Sequence, residues 1–164
     1  MMNAVRLLMM RAGIAAAAIA LMGHALVAKP TYAHDGHDFS AGEPGSSKRQ
    51  SRTITITMTE GDGKMLFSPS RIDVRQGEQI RFVLANAGYL DHEFMIATPQ
   101  ENAKHAEQMQ KFPDMVHDDP NGRTVKTKQK SELLWRFTKR GTFEFACLIP
   151  GHYEAGMYGT IVVK

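Results

Sequence analysis

From Arg52 onward the chain alternates between apolar and polar positions with a period of two. Ile54, Ile56 and Met58 fall on one face and Thr53, Thr55 and Thr57 on the other, as in a strand with one buried side. Gly61-Asp62-Gly63 then turns the chain. Short strands are expected around Met65 to Phe67 and Arg71 to Val74, and a longer one where Ile80, Phe82 and Leu84 alternate with Arg81, Val83 and Ala85. A loop leads to His92, and Phe94 and Ile96 continue as a strand that Pro99 is expected to end by removing a ladder donor. Residues 101–112 change character, with helix formers and no Gly, Pro or β-branched residue, and predict a helix of about three turns. Asp118-Asp119-Pro120-Asn121-Gly122 is a turn signal, so residues 100–123 read as an excursion from an all-β body. Strands return at Arg123 to Thr127, Glu132 to Phe137, Thr142 to Cys147 and Tyr158 to Val163. Seven or eight short strands at these intervals imply a Greek-key β-sandwich or barrel with one helical excursion.

The segments before Arg52 follow a different logic. Arg6 and Arg11 precede an alanine-rich apolar stretch from Ala12 to Ala28, and Thr31-Tyr32-Ala33 places small residues where a signal peptidase inspects the chain. Residues 1–33 are therefore expected to be a secretory signal cleaved after Ala33, with Ala28 as a second cleavage point and an uncleaved anchor as the competing reading. Residues 34–51 are polar, with Pro44-Gly45-Ser46-Ser47 at their centre, and read as a flexible leader. Residues 52–164 are left as one domain. The expected location is periplasmic, with no stable membrane insertion after signal removal.

Export changes the charge balance. Arg6, Arg11 and Lys29 account for the whole of the formal +3, so the mature chain is near neutral and has no general electrostatic reason to bind nucleic acid. Export also makes a lone cysteine conspicuous, because oxidising compartments favour paired thiols. That cysteine, Cys147, opens the run Cys147-Leu-Ile-Pro-Gly-His152-Tyr-Glu-Ala-Gly-Met157. Strand alternation puts it on the same side as Phe143 and Phe145. The Pro150-Gly151 turn can bring His152 back toward it, and Ala155-Gly156 can bend Met157 inward. A thiolate, two imidazoles and a weak thioether describe a mononuclear blue-copper site, and His92 is the best second imidazole because it enters an apolar segment directly after a loop.

These residues resemble the cupredoxin family over residues 52–164. The resemblance rests on the Pro69-Ser-Arg-Ile-Asp-Val-Arg-Gln-Gly77 lead-in, on Asp91-His92-Glu93-Phe94 and on the cysteine loop. Within the family the chain looks most like exported, plastocyanin-like proteins of bacterial copper tolerance. The resemblance implies His92, Cys147 and His152 as equatorial copper ligands and Met157 as the axial one. One departure stands out: azurin-like members carry Asn after the first ligand histidine, and this chain has Glu93.

Rival sites lack their residues. A binuclear copper centre needs two bridging cysteines. A multicopper oxidase places a histidine after its copper cysteine, where this chain has Leu148. Zinc would accept the thiolate and imidazoles but gain little from a thioether. Heme attachment lacks its paired cysteines. With four protein donors, the expected chemistry is one-electron exchange between Cu(I) and Cu(II), with no enzymatic role; the first reading is an exported electron carrier and the alternative a periplasmic copper-tolerance protein that binds, buffers or oxidises copper. A redox or copper-handling partner is expected to dock near His152 on an apolar rim formed by Leu148, Ile149, Pro150 and Tyr153, joined by Tyr89 and Leu90.

Two sets of additional donors have two readings each. His105 and Met109 share a helix face, with Met115 and His117 close behind, and they serve either as packing and solvated residues or as an auxiliary copper site. His34 and His37 would flank the new N-terminus, either as a weak copper site or as a solvated tail. Met58, Met65 and Met95 are expected in the core, as is Trp135, which shares a strand face with Leu133 and Phe137.

Overall fold

The computed structural model describes residues 38–112 and 119–164. The expected signal segment, His34 and His37 therefore lie outside the described residues, as do Met115 and His117.

Among the described residues, ten strands and one helix follow in chain order: β1 (Glu43–Pro44), β2 (Arg52–Gly61), β3 (Lys64–Ser68), β4 (Arg71–Val74), β5 (Gln79–Asn86), β6 (His92–Ala97), α1 (Pro99–Lys111), β7 (Gly122–Val125), β8 (Lys130–Arg136), β9 (Gly141–Ala146) and β10 (Tyr158–Val163). They form two five-stranded sheets, ordered β1-β8-β5-β2-β3 and β4-β10-β9-β6-β7. The β2–β5 and β4–β10 pairs are parallel, and the other pairs are antiparallel. Of the sandwich and barrel that the alternation allows, the two separate sheets are the sandwich.

The inward faces meet in an aromatic core. Phe67 and Phe82 from one sheet pack against Phe94 and Phe145 from the other, with ring centroids 5.1–5.9 Å apart. Leu133, Trp135 and Phe137 are buried together, as are Phe143, Phe145 and Cys147. Each fully buried side chain of this size contributes roughly 1.5–3 kcal/mol by leaving water. Met58 and Met95 are buried, and Met65 packs against the core from a partly buried position.

Two expectations are corrected here. Pro99 does not merely end β6; it opens α1. Thr98 is the N-cap, its side chain accepts from the Glu101 N–H, and the Glu101 carboxylate reaches back to the Thr98 N–H, giving a full capping box with Pro in the first turn. The helix thus begins two residues earlier than composition alone suggests and ends at Lys111 rather than at residue 112. The second correction concerns the leader, whose described part is packed rather than flexible. Glu43–Pro44 pairs with β8, Ala41 is buried, Phe39 meets Trp135 edge-on at 5.3 Å, and the Gln79 side chain holds the backbone of Ser46 and Arg49. Two apolar side chains in a polar stretch suffice, because Phe39 packs against Trp135 of the core while Ala41 is buried.

The helix covers the outer surface of β6 and β9. Met109 packs with Met95, Ala146 and Leu148, and Asn102 donates to Glu144 Oε1 at 3.0 Å. That outer layer explains why all six residues of β6 are buried.

Candidate metal centre

The site is assembled at the end of the sandwich where β6 begins, β9 ends and β10 starts. His92 is the first residue of β6 and pairs with Val125. Its loop is braced from several sides. Asn86 Nδ2 donates to the carbonyls of Leu90 and Val125, and Asn86 Oδ1 accepts from the Gly88 N–H. Asp91 accepts from the Thr127 N–H and from Lys126.

Cys147 follows β9 directly, and the chain from Cys147 to Met157 closes on itself. The Cys147 N–H donates to the Met157 carbonyl at 3.0 Å, the His152 N–H to Ile149 at 3.0 Å and the Met157 N–H to His152 at 3.1 Å. Gly151 and Gly156 adopt φ of +87° and +97°, a left-handed backbone that a side chain would strain, and these are the two bends the compact loop requires. Met65 N–H donates to Ala155 across to β3, tying the loop to the other sheet.

His92, Cys147 and His152 come together as the sequence reading expects. Their donor atoms all lie within 4.8 Å of one another. His92 Nδ1 is 3.2 Å from His152 Nδ1, and Cys147 Sγ is 3.4 Å from the same His152 nitrogen. Donors held about 2.0–2.3 Å from one ion at trigonal angles lie about 3.5–3.8 Å apart, so this spacing fits a single small metal ion. His92 and Cys147 are fully buried, and His152 is 8% exposed, so its edge is the only one of the three to reach the surface. Met157 is also fully buried and belongs to the core cluster that contains Cys147.

The protonation state of His152 suits cation binding, whereas that of Cys147 sets a proton against it. Burial, followed by the neighbouring His92, holds the His152 imidazole below its ordinary value, which favours the neutral ring with a lone pair to offer. Burial pushes the Cys147 thiol up to about 12 against hydrogen bonds from the backbone of Glu93 and Ile149. The thiol is therefore neutral until a metal displaces its proton. A soft sulfur and two imidazoles match copper better than a hard cation.

Glu93 occupies the departure position. Its backbone N–H donates to Cys147 Sγ at 3.2 Å, and its side chain is buried beside the site. The link between the two ligand segments is thus made by the main chain.

Sequence reasoning missed Glu60. Its Oε1 lies 2.6 Å from His92 Nε2 and accepts from the Leu90 N–H at 3.0 Å, while Oε2 accepts from the Tyr89 N–H at 2.9 Å. Burial opposes ionisation, but those two N–H groups and His92 outweigh it and hold the carboxyl below the usual carboxylate range. A signal existed, because Glu60 shares the period-two face of Ile56 and Met58, whose side chains point inward.

The expected docking rim needs one correction: Leu148 is buried under α1 with Met95 and Met109 and presents no surface. Tyr89 and Leu90 are exposed, as is Pro150, whereas Ile149 and Tyr153 are partly covered. Met109 is buried in the same layer, in keeping with its packing reading, and His105 is half-buried on α1. Among the described residues, no other group of three His, Cys, Asp or Glu side chains meets the spacing for a metal ion.

Comparison with known proteins is consistent with this geometry. Residues 53–164 match the family described as copper binding proteins, plastocyanin/azurin family. The copper-resistant cuproprotein CopI of Rubrivivax gelatinosus is 46% identical over 133 residues, covering 81% of this chain and 78% of that protein. The copper-resistant cuproprotein CopI of Pseudomonas aeruginosa is 34% identical over 161 residues, covering 80% of this chain and 87% of its own length. Among solved structures, the reduced auracyanin of Roseiflexus castenholzii superposes with a TM-score of 0.57 at 21% identity, covering 70% of this chain and 99% of that one, a likeness of fold.

Proposed function

Because the chain belongs to the plastocyanin/azurin family of copper-binding proteins, we propose that it is an exported copper-tolerance protein whose His92, Cys147 and His152 would hold copper, with Met157, buried in the same cluster as Cys147, as a fourth and weaker donor. The observation that carries this reading is the convergence of two imidazole nitrogens and the lone thiol within 4.8 Å in a buried pocket. Similarity to proteins named for copper resistance favours tolerance over a dedicated electron-carrier role.

Bound copper would supply one-electron exchange between its two oxidation states. The protein's own contribution is to hold the donors. Cys147 gives up its proton on binding, while its sulfur keeps the Glu93 N–H as a partner. His152 offers Nδ1 inward and an edge outward, which makes it the natural contact for a redox or copper-handling partner. With every donor drawn from the protein, no position is left for a substrate, and no enzymatic step belongs to this proposal. Export to the periplasm with removal of residues 1–33 completes it. Among the described residues no helix is long and apolar enough to cross a membrane.

The test is to purify residues 34–164, add Cu(II), and record the visible spectrum and metal stoichiometry for the parent, His92→Ala and Met157→Leu. Strong thiolate-to-copper absorption in the parent, lost in His92→Ala and shifted in Met157→Leu, is expected. A parent that binds no copper, or binds it without thiolate absorption, overturns the proposal. Lower copper tolerance on deletion of the gene would favour tolerance. Unchanged tolerance, together with rapid electron self-exchange by the purified protein, would favour the carrier.

A further inference from the structure

Glu60 stands 32 positions before His92 in the chain, yet its carboxylate grips the far side of that imidazole. Three features build this contact. Asp62 and Gly63 both have positive φ, the tight hairpin geometry that ends β2 and fixes where Glu60 leaves the strand. The β2–β5 register brings Met58 opposite Asn86, and the Ala87 N–H donates to the Met58 carbonyl, so the chain beyond β5 passes beside Glu60. Gly88 then leaves the space, because a Cβ there would collide with both carboxylate oxygens.

The carboxylate accepts from the backbone at Tyr89 and Leu90 and meets His92 Nε2 with its remaining capacity. A carboxylate is an acceptor only, so the 2.6 Å contact requires Nε2 to carry the proton. In the neutral ring that a metal ion requires, Nδ1 is then the nitrogen left to bind, and Nδ1 is the atom that faces His152 Nδ1 at 3.2 Å. The Glu60 side chain is 15% exposed and His92 is not exposed at all, so little water screens the charge from the ring.

We propose that Glu60 is the positioning residue of the metal centre: its carboxylate fixes His92 as the Nε2–H tautomer with Nδ1 aimed at the metal, and its negative charge favours the oxidised over the reduced ion. The inference rests on the copper reading above for its second half and on hydrogen-bond geometry alone for its first. Outer partners of this kind commonly change metal affinity by about 10–100-fold. The two effects separate by substitution. Glu60→Gln keeps an oxygen that can accept from Nε2 but removes the charge, whereas Glu60→Ala removes both.

Two measurements on residues 34–164 test it. In the metal-free protein, nitrogen-15 NMR of the imidazoles reads the tautomer. His92 is expected as Nε2–H in the parent and in Glu60→Gln, and as a mixture in Glu60→Ala. In the copper-loaded protein, voltammetry reads the potential. Glu60→Gln is expected to weaken Cu(II) binding more than Cu(I) binding, and each tenfold of that preference raises the potential by about 59 mV. A His92 tautomer unchanged in a folded Glu60→Ala overturns the positioning role. A potential unchanged in Glu60→Gln overturns the electrostatic role. If Glu60→Ala does not fold, a His92 ring protonated at Nδ1 in the metal-free parent overturns the positioning role by itself. Absence of copper binding by the parent would sink the copper reading, while the metal-free tautomer would still decide the role of Glu60.

Discussion

The Glu93 N–H donates to Cys147 Sγ across 3.2 Å, so the residue following one donor holds the atom of another donor 54 positions away. A backbone donor is present whatever the side chain. The bond therefore does not depend on the Asn that azurin-like members carry at this position, and Glu93 is compatible with a joined site.

Replacing Cys147 by Ser should separate the fold from the metal chemistry. The smaller hydroxyl can still accept from the Glu93 N–H, so the loss of stability is expected to stay within about 1–2 kcal/mol. Circular dichroism and urea denaturation check the fold, while the visible spectrum should lose its thiolate-to-copper absorption. Unfolding of the variant would mean that the thiol is needed for packing.

Thr98→Ala removes one half of the capping box at the start of α1. A cost of about 1 kcal/mol is expected in urea denaturation. The helix lies over the outer face of β6 and β9, so the copper spectrum should be unchanged.

Phe39→Ala tests whether the segment before β2 is part of the body. Phe39 is partly buried against Trp135, and its removal should destabilise the protein by about 1–2 kcal/mol. No measurable change would return this segment to the status of a leader.

Acid should weaken the tie between β2 and the turn before β5. The Arg52 side chain is the main cause that holds the Glu78 carboxyl below its ordinary value of 4.5, against burial and with help from the Arg75 N–H. Because the folded state binds this proton less readily than the unfolded one, the contribution is fully present above pH ~4.5 and is lost as pH falls through the lower folded value. Urea midpoints of the parent and Glu78→Gln should therefore differ near neutrality and converge at low pH. A constant difference across that range would contradict the assignment.

Much of the fold is legible because period-two burial is a local property. Arg71–Val74 and Tyr158–Val163 are strands over the ranges that the alternation marks, since each must hide every second side chain whatever its partner. The start of α1 was also written locally, in Thr98, Pro99 and Glu101, but composition drew attention to the later helix formers instead. The segment before β2 is opaque for the opposite reason. Nothing local distinguishes Phe39 from a solvated aromatic; only its place beside Trp135 does.

By itself the sequence determined the run of short strands that makes the body all-β, and the spacing of Cys147, His152 and Met157, because those features depend on neighbours within a few residues. Tertiary structure alone decided that the donor atoms of His92 come within 4.8 Å of those of Cys147 and His152 and that Glu60 stands behind His92. Both results depend on how strands from different sheets register and end. That register is settled by the packing of the whole core, which no short stretch of chain encodes.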